Sequence, residues 1–207
     1  MTQTGSAPCD RGWSEEEYAN PAAYLGHRAE LILTLGPPLK AGDTVLDLAC
    51  GDAALAEPLL ARGLHYVGVD AHEEMVAIAR RRLRDQGSVV LADLNDFSPS
   101  QPVAAVTCFR AIYYTRDRRV FFRRVAGFVE RKLVFDLNPR QYEVGEVVDE
   151  LRESGFGDVV LRPFFVPQTR GMPRAALAAL TALERSGPLA RLMLRRRFTY
   201  LVAAVPA

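Results

Sequence analysis

Apolar and polar positions along the chain follow two alternating periods. Short runs rich in valine, leucine and other strand formers at 44–49, 65–70, 88–92, 103–109, 131–137, 158–165 and 198–205 predict seven strands. Stretches of helical period separate them at 53–61, 73–86, 117–128 and 144–154, with another at 22–35 before the first strand. Two further helices are predicted at 173–184 and 188–195, opened by Pro173 and Pro188. Buried strands alternating with helices imply an α/β fold, a doubly wound, mostly parallel seven-stranded sheet with helices on both faces. Local chemistry agrees with these boundaries. Glu73 and Glu74 begin one helix and Arg80, Arg81, Arg82 and Arg84 end it, the order that the helix dipole favours. Gly87 is expected to stop that helix and Gly155 the one at 144–154, while Pro58 falls in the first turn of its own.

Composition narrows the picture. The 207 residues suit one buried α/β domain, expected at 13–207 after a disordered start at 1–12. Within it, 166–197 reads as a helical insertion between the last two strands, a lid or wall over a substrate pocket. A net charge of +1, from 26 basic and 25 acidic residues, supplies no electrostatic footprint for general nucleic-acid binding. Cys9, Cys50 and Cys108 form neither a paired framework nor a metal-ligand spacing, so reduced thiols, a cytoplasmic setting and no metal are expected. No apolar run has signal-peptide character or reaches the roughly eighteen residues of a membrane span. Arg185, Arg191, Arg195, Arg196 and Arg197, beside Leu192, Met193 and Leu194, form a basic patch. A solvated helix face is the favoured reading there, over contact with anionic lipid.

The strongest local signal runs from Asp43 to Leu55, a buried strand passing through a tight turn around Gly51 into a helix. Such a turn lets a ligand approach the backbone. Asp70 ends the second strand, where a carboxylate can accept from ribose hydroxyls; Asp93 follows the third strand and Asp52 follows the glycine. With Asp47, these carboxylates are expected along the C-terminal edge of the sheet. A dinucleotide would bring its pyrophosphate against Asp52. S-adenosylmethionine brings an ammonium and a sulfonium, and no phosphate, so an acidic rim favours it.

Val45 to Gly51 (VLDLACG) resembles the first motif of class I, Rossmann-like S-adenosylmethionine-dependent methyltransferases. Tyr66 to Met75 with Ala79 and Arg80 resembles their second-strand motif, Val90 to Asp93 the third, and Leu133 to Asp136 falls at their fifth strand. The resemblance covers roughly residue 22 to the C-terminus and implies an antiparallel C-terminal strand. It implies that Asp47, Ala49 and Gly51 line the methionine part of the cofactor. Asp70, with Ala71 beside it, would bind the ribose; Met75 would pack on the adenine, and Asp93, next to Leu94, would bind the adenine amino group. Tyr18 and Arg28 would close over the cofactor, Arg28 offering forked donors to its carboxylate. Where the family pattern has its first and third glycines this chain has Ala49 and Ala53, small enough to retain binding at reduced affinity.

Catalytic candidates follow the fourth and fifth strands. Arg110 and Tyr113 are expected at the mouth of the pocket, Arg110 within reach of the cofactor as well, and Asp136 is the candidate general base, near Asn138 and Arg140. A packing role is open for one of Tyr113 and Tyr114, and a turn-forming role before Pro139 for Asp136 and Asn138. Cys50 reads as a buried residue, not a nucleophile; His65 is structural, and His27 and His72 are expected in solvent. The chain reads Phe109-Arg-Ala-Ile-Tyr113 after the fourth strand, unlike base amino-group methylases, which leaves a small-molecule acceptor. Two alternatives stay open: a non-catalytic module binding S-adenosylmethionine or S-adenosylhomocysteine, and a nicotinamide-dependent oxidoreductase.

Overall fold

A computed structural model describes residues 14, 17–194 and 199–207. The start expected to be disordered, Cys9, and the run Arg195, Arg196 and Arg197 lie outside the described residues. The chain forms α1 (Pro21–Thr34), β1 (Thr44–Leu48), α2 (Ala56–Leu60), β2 (His65–Asp70), α3 (Glu73–Leu83), β3 (Ser88–Leu91) and β4 (Val103–Cys108). A 3-10 turn (Ile112–Tyr114) precedes α4 (Arg118–Ala126), β5 (Val129–Leu137), α5 (Val144–Glu153) and β6 (Phe156–Phe164). The chain ends with α6 (Arg174–Leu183), α7 (Pro188–Leu194) and β7 (Thr199–Pro206). No helix among the described residues is long and apolar enough to cross a membrane.

The strands form one sheet in the order β3-β2-β1-β4-β5-β7-β6. The first five are parallel, and β7 runs antiparallel between β5 and β6. Successive side chains of each strand point to opposite faces. Val45, Tyr66, Ala105 and Val134 therefore enter the core under α1, α2 and α3, while Leu46, Val69, Val106 and Phe135 enter the core under α4 and α5. On the second face Phe122 lies 5.8 Å from Phe121 and 5.7 Å from Phe135 between ring centroids. Each such buried side chain contributes about 1.5–3 kcal/mol over leaving it in water.

Helix ends are secured by side chains. Asn20 caps α1, its Oδ1 accepting the Ala23 N–H at 3.0 Å, and Pro21 opens the helix. At the other end of α1 the buried Lys132 of β5 donates to the Leu35 carbonyl at 2.7 Å and the Leu33 carbonyl at 3.4 Å. The Leu33 carbonyl also accepts the Leu39 N–H at 3.0 Å, so Lys132 chiefly serves the Leu35 carbonyl past the end of the helix. Burial pushes the Lys132 ammonium down to about 8. Helix α3 ends at Leu83 because Arg84, at φ 52°, turns the chain; Gly87 does not stop it. A Cβ on Gly87 would meet the Tyr66 carbonyl oxygen at 3.0 Å, so that glycine serves close packing. Helix α2 begins at Ala56 and not at 53, since Ala53 has φ 54° and cannot continue a right-handed turn.

Candidate active site

Strand order reverses at β1, which has β2 on one side and β4 on the other, and open α/β sheets bind ligands in the crevice this creates. A cleft of about 610 Å³ lies there. Its floor is the turn after β1, where Ala49 (φ 59°), Gly51 (φ 56°) and Ala53 (φ 54°) all take the left-handed conformation. The first and third glycine positions of the motif thus demand a backbone shape that alanine adopts at a cost, and small size alone does not meet that demand. A Cβ on Gly51 would meet nothing within 4 Å and would project into open space.

The eleven cofactor candidates all line this cleft. Asp47, Ala49, Gly51 and Asp70 come from β1, its turn and the end of β2; Ala71 and Met75 come from the next turn and α3. Asp93 and Leu94 follow β3, Arg110 follows β4, and Tyr18 and Arg28 close the side from the N-terminal segment and α1. Tyr113 joins them, while Asp136 lies in a neighbouring cleft. Asp70 organises the centre: Oδ2 accepts the Gly51 N–H at 2.8 Å, and Oδ1 accepts the His72 N–H at 3.0 Å. Its remaining lone pairs can accept further donors. His72 is exposed and its Nδ1 lies 3.1 Å from Asp70 Oδ1.

Arg28 is buried in an aromatic box. Its guanidinium lies 4.2 Å from the Phe109 ring centroid and 4.7 Å from that of Tyr24, and it donates to the Tyr24 hydroxyl at 2.7 Å. Arg28 Nε is buried without a hydrogen-bond partner. Phe109, Tyr24 and Phe164 were not singled out from the sequence; Tyr24 had a signal, lying four residues before Arg28 on one helix face. Tyr18 stacks on Tyr24 at 4.8 Å, and burial pushes its hydroxyl up to about 12.

The acidic rim is less negative than the sequence suggests. Asp52 is buried, accepts from Ser14, and pairs with Arg82 at 3.1 Å. Asp93 pairs with Arg116 at 3.1 Å, and the Asn95 N–H bound to its Oδ1 is the main reason its carboxyl lies below the usual range. Asp47 is fully engaged, accepting the Thr107 hydroxyl at 2.6 Å and the Tyr66 hydroxyl at 2.7 Å; burial raises it to about 6. Asp70 thus has neither an arginine partner, as Asp52 and Asp93 have, nor hydroxyl donors on both oxygens, as Asp47 has, among the described residues. Cys50 sits in the cleft with its thiol pushed up by burial, which suits packing better than nucleophilic attack. His27, expected in solvent, is half-buried and its Nε2 lies 2.8 Å from Oε2 of the buried Glu184, whose Oε1 accepts the Phe165 N–H at 2.7 Å. This ties the end of α6 to α1.

A second cleft of about 860 Å³ adjoins the first and shares Arg110 and Tyr113 with it. Apolar walls come from Tyr142, Phe164, Phe165, Met172 and Leu180, and polar groups from Asp136, Asn138, Gln141 and Thr199. The segment from Val166 to Met172 therefore faces this cavity, and the Gln168 carbonyl accepts the Ala19 N–H at 2.9 Å. Among the described residues no group of histidine, cysteine, aspartate or glutamate side chains is placed to hold a metal ion.

Comparison with known proteins gives a consistent family. Residues 45–132 match the model of a family described as a methyltransferase domain. The ubiquinone biosynthesis O-methyltransferase of Aeromonas salmonicida (strain A449) is 27% identical over 93 residues, 42% of this chain and 39% of that protein. The protein of the same name from Thiobacillus denitrificans (strain ATCC 25259 / T1) is 32% identical over 82 residues, covering 37% and 35%. The chain thus spans well under half the length of these relatives. Among solved structures, a chain in the complex between the Haloferax volcanii Trm112 methyltransferase activator and a methyltransferase has a TM-score of 0.68 at 21% identity, covering 94% of each chain. Magnesium protoporphyrin IX methyltransferase from Synechocystis PCC 6803, solved with S-adenosylmethionine, has a TM-score of 0.60 at 14% identity, covering 94% of this chain and 84% of that one. Residues 45–132 of this chain match a methyltransferase domain, and the chain has the Rossmann-like fold of these solved methyltransferase structures.

Proposed function

We propose that this chain transfers a methyl group from S-adenosylmethionine to a small-molecule acceptor by in-line displacement. The observation that carries the reading is the meeting of two clefts at Arg110 and Tyr113, one built around Asp70 and Arg28, the other lined by aromatic side chains with Asp136, Asn138 and Gln141. The first cleft fits the cofactor. The buried, partnerless Nε of Arg28 suits the methionine carboxylate. Asp70 suits the two ribose hydroxyls, Met75 the adenine face, and the open backbone at Gly51 the close passage of the ligand. When bound, the cofactor supplies an electrophilic methyl carbon on a sulfonium whose charge is lost on transfer.

The chain's own contribution is alignment and exclusion of water. Arg110 and Tyr113 stand where the clefts join and orient the acceptor toward the first. The stretch from Val166 to Met172, with Leu180, walls the second cleft and keeps it dry. Displacement at a sulfonium needs no strong acid, so the reading does not require an acid–base constellation. An acceptor with an apolar body suits the walls formed by Tyr142, Phe164 and Met172, and the O-methyltransferase relatives favour an oxygen nucleophile.

Incubation with tritiated-methyl S-adenosylmethionine and a metabolite extract tests the reading. Labelled small product is expected. Binding of S-adenosylhomocysteine without any transfer would make the chain a binding module, and thermal stabilisation by NAD alone would make it a nucleotide-binding oxidoreductase.

A further inference from the structure

Asp136 lies at the end of β5, beside the border between the two clefts. Its Oδ1 accepts the backbone N–H of Arg110 at 2.6 Å, and its Oδ2 lies 3.9 Å from the Arg28 guanidinium. Arg110 has φ 53°, a left-handed conformation that a non-glycine residue holds only when its surroundings compensate. The side chains of Asp136 and Arg28 are 12% and 3% exposed, so both contacts are sheltered from water. Both carboxylate oxygens of Asp136 thus face groups of the protein itself, one a backbone amide and the other a guanidinium.

From this geometry we infer that Asp136 is a positioning residue and not the general base. It fixes the strained backbone of Arg110, and with it the side chains that stand between cofactor and acceptor, while holding Arg28 in register with the same strand. Its effect on the cofactor cleft rests on the functional reading above; its effect on the Arg110 backbone does not.

A double-mutant cycle separates the two. Glycine adopts the left-handed conformation without help, so Arg110→Gly removes the need for Asp136. Asp136→Ala is expected to lower the thermal midpoint by about 4 °C or more in the native background, and by less than half as much in the Arg110→Gly background. Asp136→Asn keeps an oxygen for the Arg110 N–H and is expected within about 2 °C of wild type, with calorimetric affinity for S-adenosylhomocysteine within about threefold. Equal losses in both backgrounds, or Asp136→Asn as damaging as Asp136→Ala, would overturn the assignment. Recovery of folding by Arg110→Gly where Asp136→Ala alone does not fold supports it, and failure of both overturns it. If wild type does not bind S-adenosylhomocysteine, the functional reading falls and the thermal cycle still decides the role of Asp136.

Discussion

Replacing Ala49 by glycine and, separately, by valine probes the turn on which the cofactor cleft is built. Ala49 has φ 59°, where an L-residue with a Cβ pays about 1–2 kcal/mol that glycine does not. Glycine gives back about 0.4–1 kcal/mol through the greater freedom of its unfolded chain. Ala49 is half-buried against the second core, so losing part of its methyl contact costs about 0.4 kcal/mol more. The balance is a stabilisation of about 0.5 kcal/mol, or about 1–2 °C in the thermal midpoint. At Ala53 the methyl is fully buried, a loss of about 0.8 kcal/mol, and glycine there is expected to be neutral. Valine at 49 adds a β-branched side chain at a positive φ and is expected to lower stability by more than about 1 kcal/mol. Urea unfolding followed by circular dichroism gives all three values. A loss of about 1 kcal/mol for Ala49→Gly, the usual result in a regular helix, would refute the argument from backbone strain.

Other expectations concern charge and the α6 contact. Asp47 titrates at about 6 when folded against 3.8 for a free carboxyl, so the folded state binds more protons between those values and stability falls as pH rises through them. Asp47→Asn abolishes that dependence, and its midpoint relative to wild type should rise from pH 4 to pH 7 by the equivalent of about 2 kcal/mol; a constant difference would contradict the assignment. Glu184→Ala leaves the Phe165 N–H and His27 without their buried acceptor, a loss of about 2–3 kcal/mol measurable by urea unfolding, whereas Glu184→Gln keeps an oxygen for Phe165 and should lose about half as much. Arg28→Lys keeps the charge and loses the fork, so calorimetric affinity for S-adenosylhomocysteine should fall about tenfold with little change in the thermal midpoint.

Much of this architecture is written in short-range pattern. Strand β2 lies at the predicted 65–70, and the C-terminal carboxylates fall where the strand ends put them, because strand period and strand-end position are local properties. What the sequence does not reveal is who faces whom. Arg82 neutralises Asp52, Arg116 meets Asp93 and Glu184 meets His27 across distant parts of the chain, and no local spacing announces such pairs. The start of α2 was misjudged for a subtler reason: Ala53 is a good helix former, and the ligand-binding turn overrides that propensity. The second cleft is assembled from the 3-10 turn, β5, β6 and the segment beyond it, so its walls are visible only once the sheet closes.

The account stands on Asp70 as the carboxylate that organises the cofactor cleft. Isothermal titration of S-adenosylhomocysteine into wild type and Asp70→Ala tests it most directly. Loss of two charge-assisted hydrogen bonds predicts at least about tenfold weaker binding in the variant. An affinity within about twofold of wild type would contradict the placement of the nucleoside and, with it, the use assigned to the cleft.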